Sequence, residues 1–271
     1  MVKQVISFFD GDALNQFVII SGTRCGSHFL ETALDAHPDI HCYNELFGQD
    51  IVRSPEIINF FAHWADWVAR DNRSLLYQFR PAVIVDYLRY LRERVPNAKH
   101  MGFDLKYYQI SEIGALAFLP AFQECKIIHL CRRNILKQFI SIVLNKQRAN
   151  FGRRMHETGS VPQVQIALPN DLVQQLEDLE REALQFKELL EGYFPVLELY
   201  YEDLLENGET SSQGVAQSSL TRIYDFLEVQ NRNCELHTKF HKMNSSNTSE
   251  IVQNFAEVKQ MLRGTRFEKF I

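Results

Sequence analysis

Short apolar runs that alternate with helical patterns are the strongest constraint on the fold of this 271-residue chain. Three runs have the pattern of buried strands: FVIIS (17–21), KIIHLC (126–131) and PVLELYY (195–201). A fourth, KHMGFDLKYY (99–108), is a less clean candidate. Strands that are covered on both faces of a parallel sheet are apolar along most of their length. The runs therefore predict a mostly parallel sheet of about four or five strands.

The segments between the runs carry apolar residues at helical spacing. Helices are expected after the first two runs (ETALDAH and ILKQFISIVLNKQ) and over 55–70, 81–95 and 171–192. Pro55 and Pro81 stand near helix starts, and Gly192 ends the long helix. This alternation predicts a single α/β domain over 1–271, with helices flanking the sheet and ligands at the carboxyl ends of the strands.

Composition narrows the class of protein. A net charge of −5 argues against a general nucleic-acid or anionic-membrane surface. The five cysteines are scattered without a CxxC pair, which predicts reduced thiols and no zinc site. Asp10 and Asp12 interrupt any signal-peptide core, and no apolar run approaches the roughly 20 residues of a membrane span. We expect a cytoplasmic protein, and the sequence leaves open whether it forms a homo-oligomer.

The turn after FVIIS has the residues of a phosphate-binding loop. Gly22 and Gly26 flank it, and a helix is predicted to begin near Ser27. Such a turn aims backbone N–H groups at an anion, while Arg24 adds a fixed positive charge and Ser27 a helix cap or a hydroxyl donor. Taken alone, the pattern is better explained by an ordinary strand-to-helix turn capped by serine.

A second strand-to-helix junction, HLCRRNILKQFIS, changes that balance. Arg133 stands at the junction and Ser141 follows eight residues later, a little over two helical turns. The two side chains can therefore lie on one side of the helix and bind a second phosphate. The plain alternative is an exposed arginine and a surface serine, but a pair of phosphate turns makes that alternative less attractive.

At these residues the sequence resembles the sulfotransferases that use 3′-phosphoadenosine-5′-phosphosulfate. Residues 24–28 (RCGSH) are similar to the family's [RK]-[ST]-G-[ST]-[ST] turn, and residues 133–141 match R-N-P-x-D-x-x-x-S at Arg, Asn and Ser. The similarity extends to ALDAHPDIHCYNELF, LYYEDLLEN, LTRIYDFLEV and NFAEVKQMLRGTRFEKF. Cys25 and His28 replace the usual hydroxyl residues, and Ile135 and Lys137 replace proline and aspartate.

The resemblance implies a function and a role for particular residues. The turn from Arg24 through Cys25, Gly26 and Ser27 to His28 would hold the 5′-phosphosulfate. Arg133 and Ser141 would hold the 3′-phosphate of the donor and of its product, adenosine 3′,5′-bisphosphate. Glu45 would act as general base on an acceptor hydroxyl of a carbohydrate, a glycolipid or another small molecule, without a metal ion. Lys106 and His28 are further candidates for the chemistry, and a late loop of Arg263, Gly264 and Thr265 is a candidate for nucleotide contact.

Several alternatives stay open at this point. A P-loop kinase is disfavoured because no Lys-Ser/Thr follows Gly26, and a nucleotide-binding module without turnover is a rival of another class. Asp104 is a weaker rival to Glu45 as base. Residues 145–170 are either a lid or acceptor loop or a solvated insertion. Core packing is expected for the aromatic candidates Trp64, Trp67, Tyr107 and Tyr108, and Tyr201, Glu202 and Asp203 are expected to form a strand end and helix cap.

Overall fold

Five parallel strands form one sheet in this computed structural model, which describes residues 15–47, 64–75, 80–150, 165–205, 215–230 and 248–271. The strands are β1 (Asn15–Ser21), β2 (Ile40–Tyr43), β3 (His100–Lys106), β4 (Lys126–Cys131) and β5 (Val196–Tyr200). Their order across the sheet is β2-β3-β1-β4-β5, and every neighbouring pair is parallel. The predicted α/β fold with a parallel sheet is therefore confirmed.

Helices connect the strands and cover the sheet. They are α1 (Ser27–Asp35), α2 (Trp64–Arg70), α3 (Arg80–Arg92), α4 (Tyr107–Ile113), α5 (Ala115–Ala121), α6 (Ile135–Asn150), α7 (Leu172–Glu191), α8 (Gln217–Leu227), α9 (Thr248–Ile251) and α10 (Phe255–Leu262). Short 3₁₀ turns cover Asn72–Leu75, Tyr201–Leu204 and Glu268–Phe270. None of the helices among the described residues is both long enough and apolar enough to cross a lipid bilayer.

Both faces of the sheet are buried, as the apolar runs predict. Successive residues of β1 alternate between the faces, so Val18 and Ile20 pack with α3, α4 and α5, while Phe17 and Ile19 pack with α1 and α8. All four side chains are fully buried. A third cluster joins α6 and α7 to α9 and α10 beside the sheet.

Some predicted boundaries differ from the structure. The strand expected over 99–108 ends at Lys106, because the Gln109 side chain accepts the Lys106 N–H (2.8 Å) and α4 starts at Tyr107. The four-residue strand β2 was not predicted. Of the expected 145–170 loop, residues up to 150 continue α6 and 151–164 lie outside the described residues, as do 55–63 of the predicted helix over 55–70.

The strand order places three strand ends side by side. Ser21, the last residue of β1, is paired with Lys106 at the end of β3 and with Leu130 near the end of β4. Because parallel strands end at the same edge, the turn after β1 lies between the segments that follow its two neighbours. This carboxyl edge is where an open α/β sheet binds its ligands.

Candidate active site

The turn between β1 and α1 has a backbone shape that suits an anion. Arg24 and Gly26 both have positive φ angles, 64° and 88°. A turn that alternates into the left-handed region points successive N–H groups into one concavity, and the first N–H groups of α1 have no acceptor within the helix. A left-handed arginine is uncommon and costs free energy, and such strain concentrates at functional sites.

Tyr201 packs directly on this turn. A Cβ atom added to Gly26 would lie 2.2 Å from a ring carbon of Tyr201, so the ring occupies the space that any other side chain would need. The same ring meets Phe29 of α1 edge-on, with centroids 6.5 Å apart. Tyr201 follows β5 and was expected only to form a strand end; its contact with the turn was not predicted.

Helix α6 also fixes the turn, through two polar side chains. Gln138 donates to the Thr23 carbonyl oxygen at 3.0 Å, and the Arg24 Nε donates to the Ser141 hydroxyl at 2.9 Å. Cys25 is buried, and burial raises the pKa of its thiol to about 12, so its side chain stays neutral. Of residues 24–28, Cys25 would therefore contribute only its backbone to anion binding.

A buried cluster of charges lies beneath the turn. The Lys106 ammonium is 2.5 Å from Asp104 Oδ2, 2.5 Å from the Ser27 hydroxyl and 3.1 Å from the Ser21 hydroxyl. Ser27 in turn donates to Asp104 at 2.8 Å and does not cap α1 with its side chain, because Gly26 is the N-cap. Burial lowers the pKa of Lys106, but Asp104 and Glu45 outweigh burial and raise it, so the ammonium is charged.

Glu45 faces this cluster from the segment after β2. Its carboxylate is 4.0 Å from the Lys106 ammonium and is half-buried. Burial raises the pKa of Glu45, while the nearby Lys106 and Arg24 charges and the Tyr108 hydroxyl oppose that rise. A carboxylate with a raised pKa beside a charged lysine has the character of a general base. Asp104, its rival, is only 1% exposed and is held by Lys106 and Ser27.

Tyr108 departs from the expectation of core packing. It is 43% exposed beside Glu45, whereas Tyr107 is buried and stacks on Phe186. Trp64 and Trp67 pack against the core as expected. His28 lies on the first turn of α1, with its Nδ1 3.3 Å from Glu31.

The β4–α6 junction holds its charges differently. The Arg133 guanidinium donates to both oxygens of Asp203, at 2.5 and 2.7 Å, and lies over the Tyr200 ring at 4.2 Å. The Glu202 carboxylate accepts the backbone N–H groups of Arg133 and Asn134 at 2.9 and 3.0 Å. Glu202 therefore holds the turn before α6, and the cap of α6 is Asn134, whose Oδ1 accepts the Lys137 N–H at 2.9 Å. Tyr201, Glu202 and Asp203 follow the end of β5 as expected, in a short 3₁₀ turn.

The structure brings the members of the two predicted anion sites together at one edge, with different partners from those expected. Ser141 contacts Arg24 of the first turn, and Arg133 contacts Asp203. Arg132 lies between them and is not one of the predicted site residues. Its Nη1 donates to the Arg24 carbonyl at 3.1 Å and its guanidinium lies over Tyr201, while its Nε is buried with no hydrogen-bond partner among the described residues.

The predicted C-terminal loop has the contacts of a helix end. Thr265 donates its hydroxyl to the Leu262 carbonyl at 2.7 Å, and the Gly264 N–H donates to Glu268 at 2.8 Å. Arg263 is exposed at the end of α10. These contacts account for the glycine and the threonine without a ligand.

Known proteins resemble the chain in sequence and in fold. No protein-family model matches it. Nodulation protein H of Rhizobium tropici is 24% identical over 262 residues, which cover 94% of this chain and 92% of that protein. Nodulation protein H of Rhizobium meliloti (strain 1021) is 25% identical over 154 residues, 56% of each chain.

Solved structures resemble the chain in fold. Sulfotransferase STF9 from Mycobacterium avium superposes with a TM-score of 0.50 at 11% sequence identity, covering 94% of this chain and 76% of that one. The five-stranded parallel sheet and flanking helices of this chain therefore have the sulfotransferase fold, as the resemblance of its motifs predicted.

Proposed function

We propose that this protein is a sulfotransferase that moves a sulfuryl group from 3′-phosphoadenosine-5′-phosphosulfate to an acceptor hydroxyl. The observation that carries the proposal is the meeting of an anion-binding turn, a buried charged lysine and a half-buried glutamate at the carboxyl edge of a sulfotransferase fold. These are the groups that a sulfuryl transfer needs, because it requires a held donor, a stabilised leaving group and a base.

Each group has a role that follows from its position. The backbone N–H groups of residues 24–28 and the Arg24 guanidinium hold the phosphosulfate. Glu45 accepts the proton of the acceptor hydroxyl as the hydroxyl oxygen forms its bond to sulfur. Lys106 stabilises the charge that develops on the phosphate oxygen as its bond to sulfur breaks. His28, at the start of α1, is the further candidate to donate to that oxygen.

The 3′-phosphate is assigned to Arg133 and Ser141, with Arg132 beside them. Arg133 is half exposed, and an exposed ion pair such as that with Asp203 contributes only about 0–1 kcal/mol. A phosphate can therefore replace Asp203 at small cost. Arg132 adds a second guanidinium at the same junction, with its Nε 3.9 Å from the Glu202 carboxylate. Arg263, Gly264 and Thr265 stay candidates for nucleotide contact from the end of α10.

For the acceptor, we favour a carbohydrate, a glycolipid or another small molecule with a free hydroxyl. Tyr108 supports a sugar, since it presents a partly exposed aromatic ring near Glu45.

The test has a binding part and a transfer part. In calorimetry, adenosine 3′,5′-bisphosphate should bind more tightly than adenosine 5′-phosphate, and sulfate from radiolabelled donor should appear on a member of an acceptor panel with or without EDTA. Equal affinity for both nucleotides would contradict the assignment of the 3′-phosphate. Phosphate transfer from ATP that needs Mg²⁺ would support the kinase instead, and nucleotide binding without any transfer would support the non-catalytic module.

A further inference from the structure

Two carboxyl groups lie together under the phosphate turn. Glu31 of α1 is 3% exposed and Asp104 of β3 is 1% exposed. Ser27, one turn before Glu31 on α1, donates to Asp104 at 2.8 Å, and this contact brings the two carboxyl groups close together. One oxygen of each, Glu31 Oε1 and Asp104 Oδ1, is buried without a hydrogen-bond donor among the described residues. Two ionised carboxylates are both acceptors, so a hydrogen bond between these carboxyl groups needs a proton on one of them.

The surrounding charges favour one retained proton. Lys106 contacts Asp104 at 2.5 Å, and Glu45 adds a third carboxylate 4.0 Å from the same ammonium. Burial, followed by the negative charge of Asp104, raises the pKa of Glu31.

Other groups reach the pair from each neighbouring element. The His28 ring of α1 contacts Glu31 Oε2 at 3.3 Å, and the buried Cys42 thiol lies on the β2 side. Since like charges in one buried site cannot both ionise cheaply, Glu31 is the carboxyl that stays neutral.

We propose that Glu31 is a positioning residue: its protonated carboxyl donates a hydrogen bond to Asp104, and this bond orients Asp104 to hold Lys106 and Ser27 under the phosphosulfate. Asp104 uses its Oδ2 for both of these groups, so a donor on Oδ1 fixes the rotation of the carboxylate. The orienting role rests on the function proposed above; the proton on Glu31 does not.

Loss of that proton changes the site in a defined way. An ionised Glu31 repels Asp104 and competes for the ammonium of Lys106, which then turns away from the nucleotide. Binding of the 5′-phosphate should therefore weaken as pH rises through the titration of Glu31. A residue that only packs would give no such pH dependence.

Infrared difference spectroscopy at neutral pH tests the proton directly. The wild type minus Glu31→Gln should show the carbonyl band of a protonated carboxyl, and the wild type minus Glu188→Gln, an exposed residue of α7, should show only carboxylate bands. A carboxylate difference for Glu31→Gln would overturn the proposal. This measurement needs neither nucleotide nor acceptor, so it stands apart from the test of the proposed function.

The pH profile of adenosine 3′,5′-bisphosphate affinity tests the positioning. Glu31→Ala removes the hydrogen bond and should weaken binding by about tenfold, the equivalent of one hydrogen bond. Glu31→Gln keeps an N–H donor, so it should lose less and should lack the alkaline decline attributed to Glu31. Equal losses with an unchanged pH profile would mean that Glu31 only packs, which would overturn the positioning role. If Glu31→Ala does not fold, the comparison of Glu31→Gln with the wild type tests the proposal: an alkaline decline in affinity that is the same in both would overturn the positioning role.

Discussion

The charges at the end of β3 and those at the β4–α6 junction lie on either side of the same turn, yet the protein holds them in opposite ways. Lys106 and Asp104 are almost completely buried and share Ser27. Arg133 and Asp203 are both at the surface, with side chains 50% and 35% exposed. The first pair cannot exchange partners with solvent, whereas the second can.

This difference matches what each end of the donor would require. The reacting end needs charges that are fixed before substrate arrives, because preorganised groups lose no free energy to reorganisation during the reaction. The ribose phosphate needs only to be recognised, and an arginine in an exposed pair can release one acceptor and take another. At one edge of the sheet, the buried pair would thus serve the reaction, and the exposed pair would serve recognition of the nucleotide.

Glu45→Gln should give the largest effect, because it removes the proposed base at the buried end. We expect turnover to fall by roughly 10²–10⁴-fold, with little change in nucleotide affinity. Steady-state transfer rates and calorimetric titration would measure the two quantities, with Glu188→Gln as the control. Unchanged turnover would remove Glu45 from the mechanism.

Replacing the cation of each ion pair compares the pairs directly. Lys106→Met leaves Asp104 buried without its closest charge partner and should cost about 3–5 kcal/mol of unfolding free energy. Arg133→Met breaks an exposed pair and should cost about 0–1 kcal/mol. Urea denaturation of both variants measures the difference; similar costs would show that burial does not distinguish the pairs.

Gly26→Ala tests whether the turn has room to change. The new methyl group would meet the Tyr201 ring in a left-handed conformation, so we expect a loss of about 2–5 kcal/mol in stability, and weaker nucleotide binding. Gly264→Ala is the matched control, since Gly264 is also left-handed (φ 74°) but has no neighbouring atom within 4 Å of the added carbon. It should cost about 1 kcal/mol, from backbone strain alone. Equal losses would mean that Tyr201 yields easily.

Arg133→Ala tests the exposed ion pair through the difference in affinity between two nucleotides. Loss of a charge-assisted contact worth about 1.5–3 kcal/mol should weaken adenosine 3′,5′-bisphosphate by about 10–100-fold and leave adenosine 5′-phosphate nearly unchanged. Arg132→Ala in parallel shows whether the neighbouring guanidinium shares the phosphate. An equal loss for both nucleotides would contradict the 3′-phosphate role of Arg133.

The fold, and the part of the chain that forms the candidate site, could be predicted from the sequence. The side-chain contacts within that site could not. Apolar runs such as FVIIS predict buried parallel strands because only a strand covered on both faces needs to be apolar throughout. Strand β2 was not predicted because its four residues, IHCY, are too few to show the residue pattern of a strand. The position of Lys106 was recognised, whereas its contact with Ser27 depends on the register of β1 against β3.

The contacts of Tyr201 and Arg133 show the same limit. Gly26 is a plain signal of a special turn, but nothing near it in sequence indicates an aromatic ring that arrives after β5. Arg133 and Ser141 have helical spacing, and Asp203 competes for the arginine from a distant segment. A repeated arginine in HLCRRN was the available signal for Arg132.

The central place of β1 has a consequence for synthesis. Its two hydrogen-bonding neighbours, β3 and β4, are encoded well downstream, with β2 between. On the ribosome, β1 has no pairing partner until β3 has emerged, and its second edge stays unpaired until Lys126–Cys131 follows. Such long-range parallel pairing is slow and open to aggregation. FVIIS is therefore the segment that stays exposed longest before its partners are made.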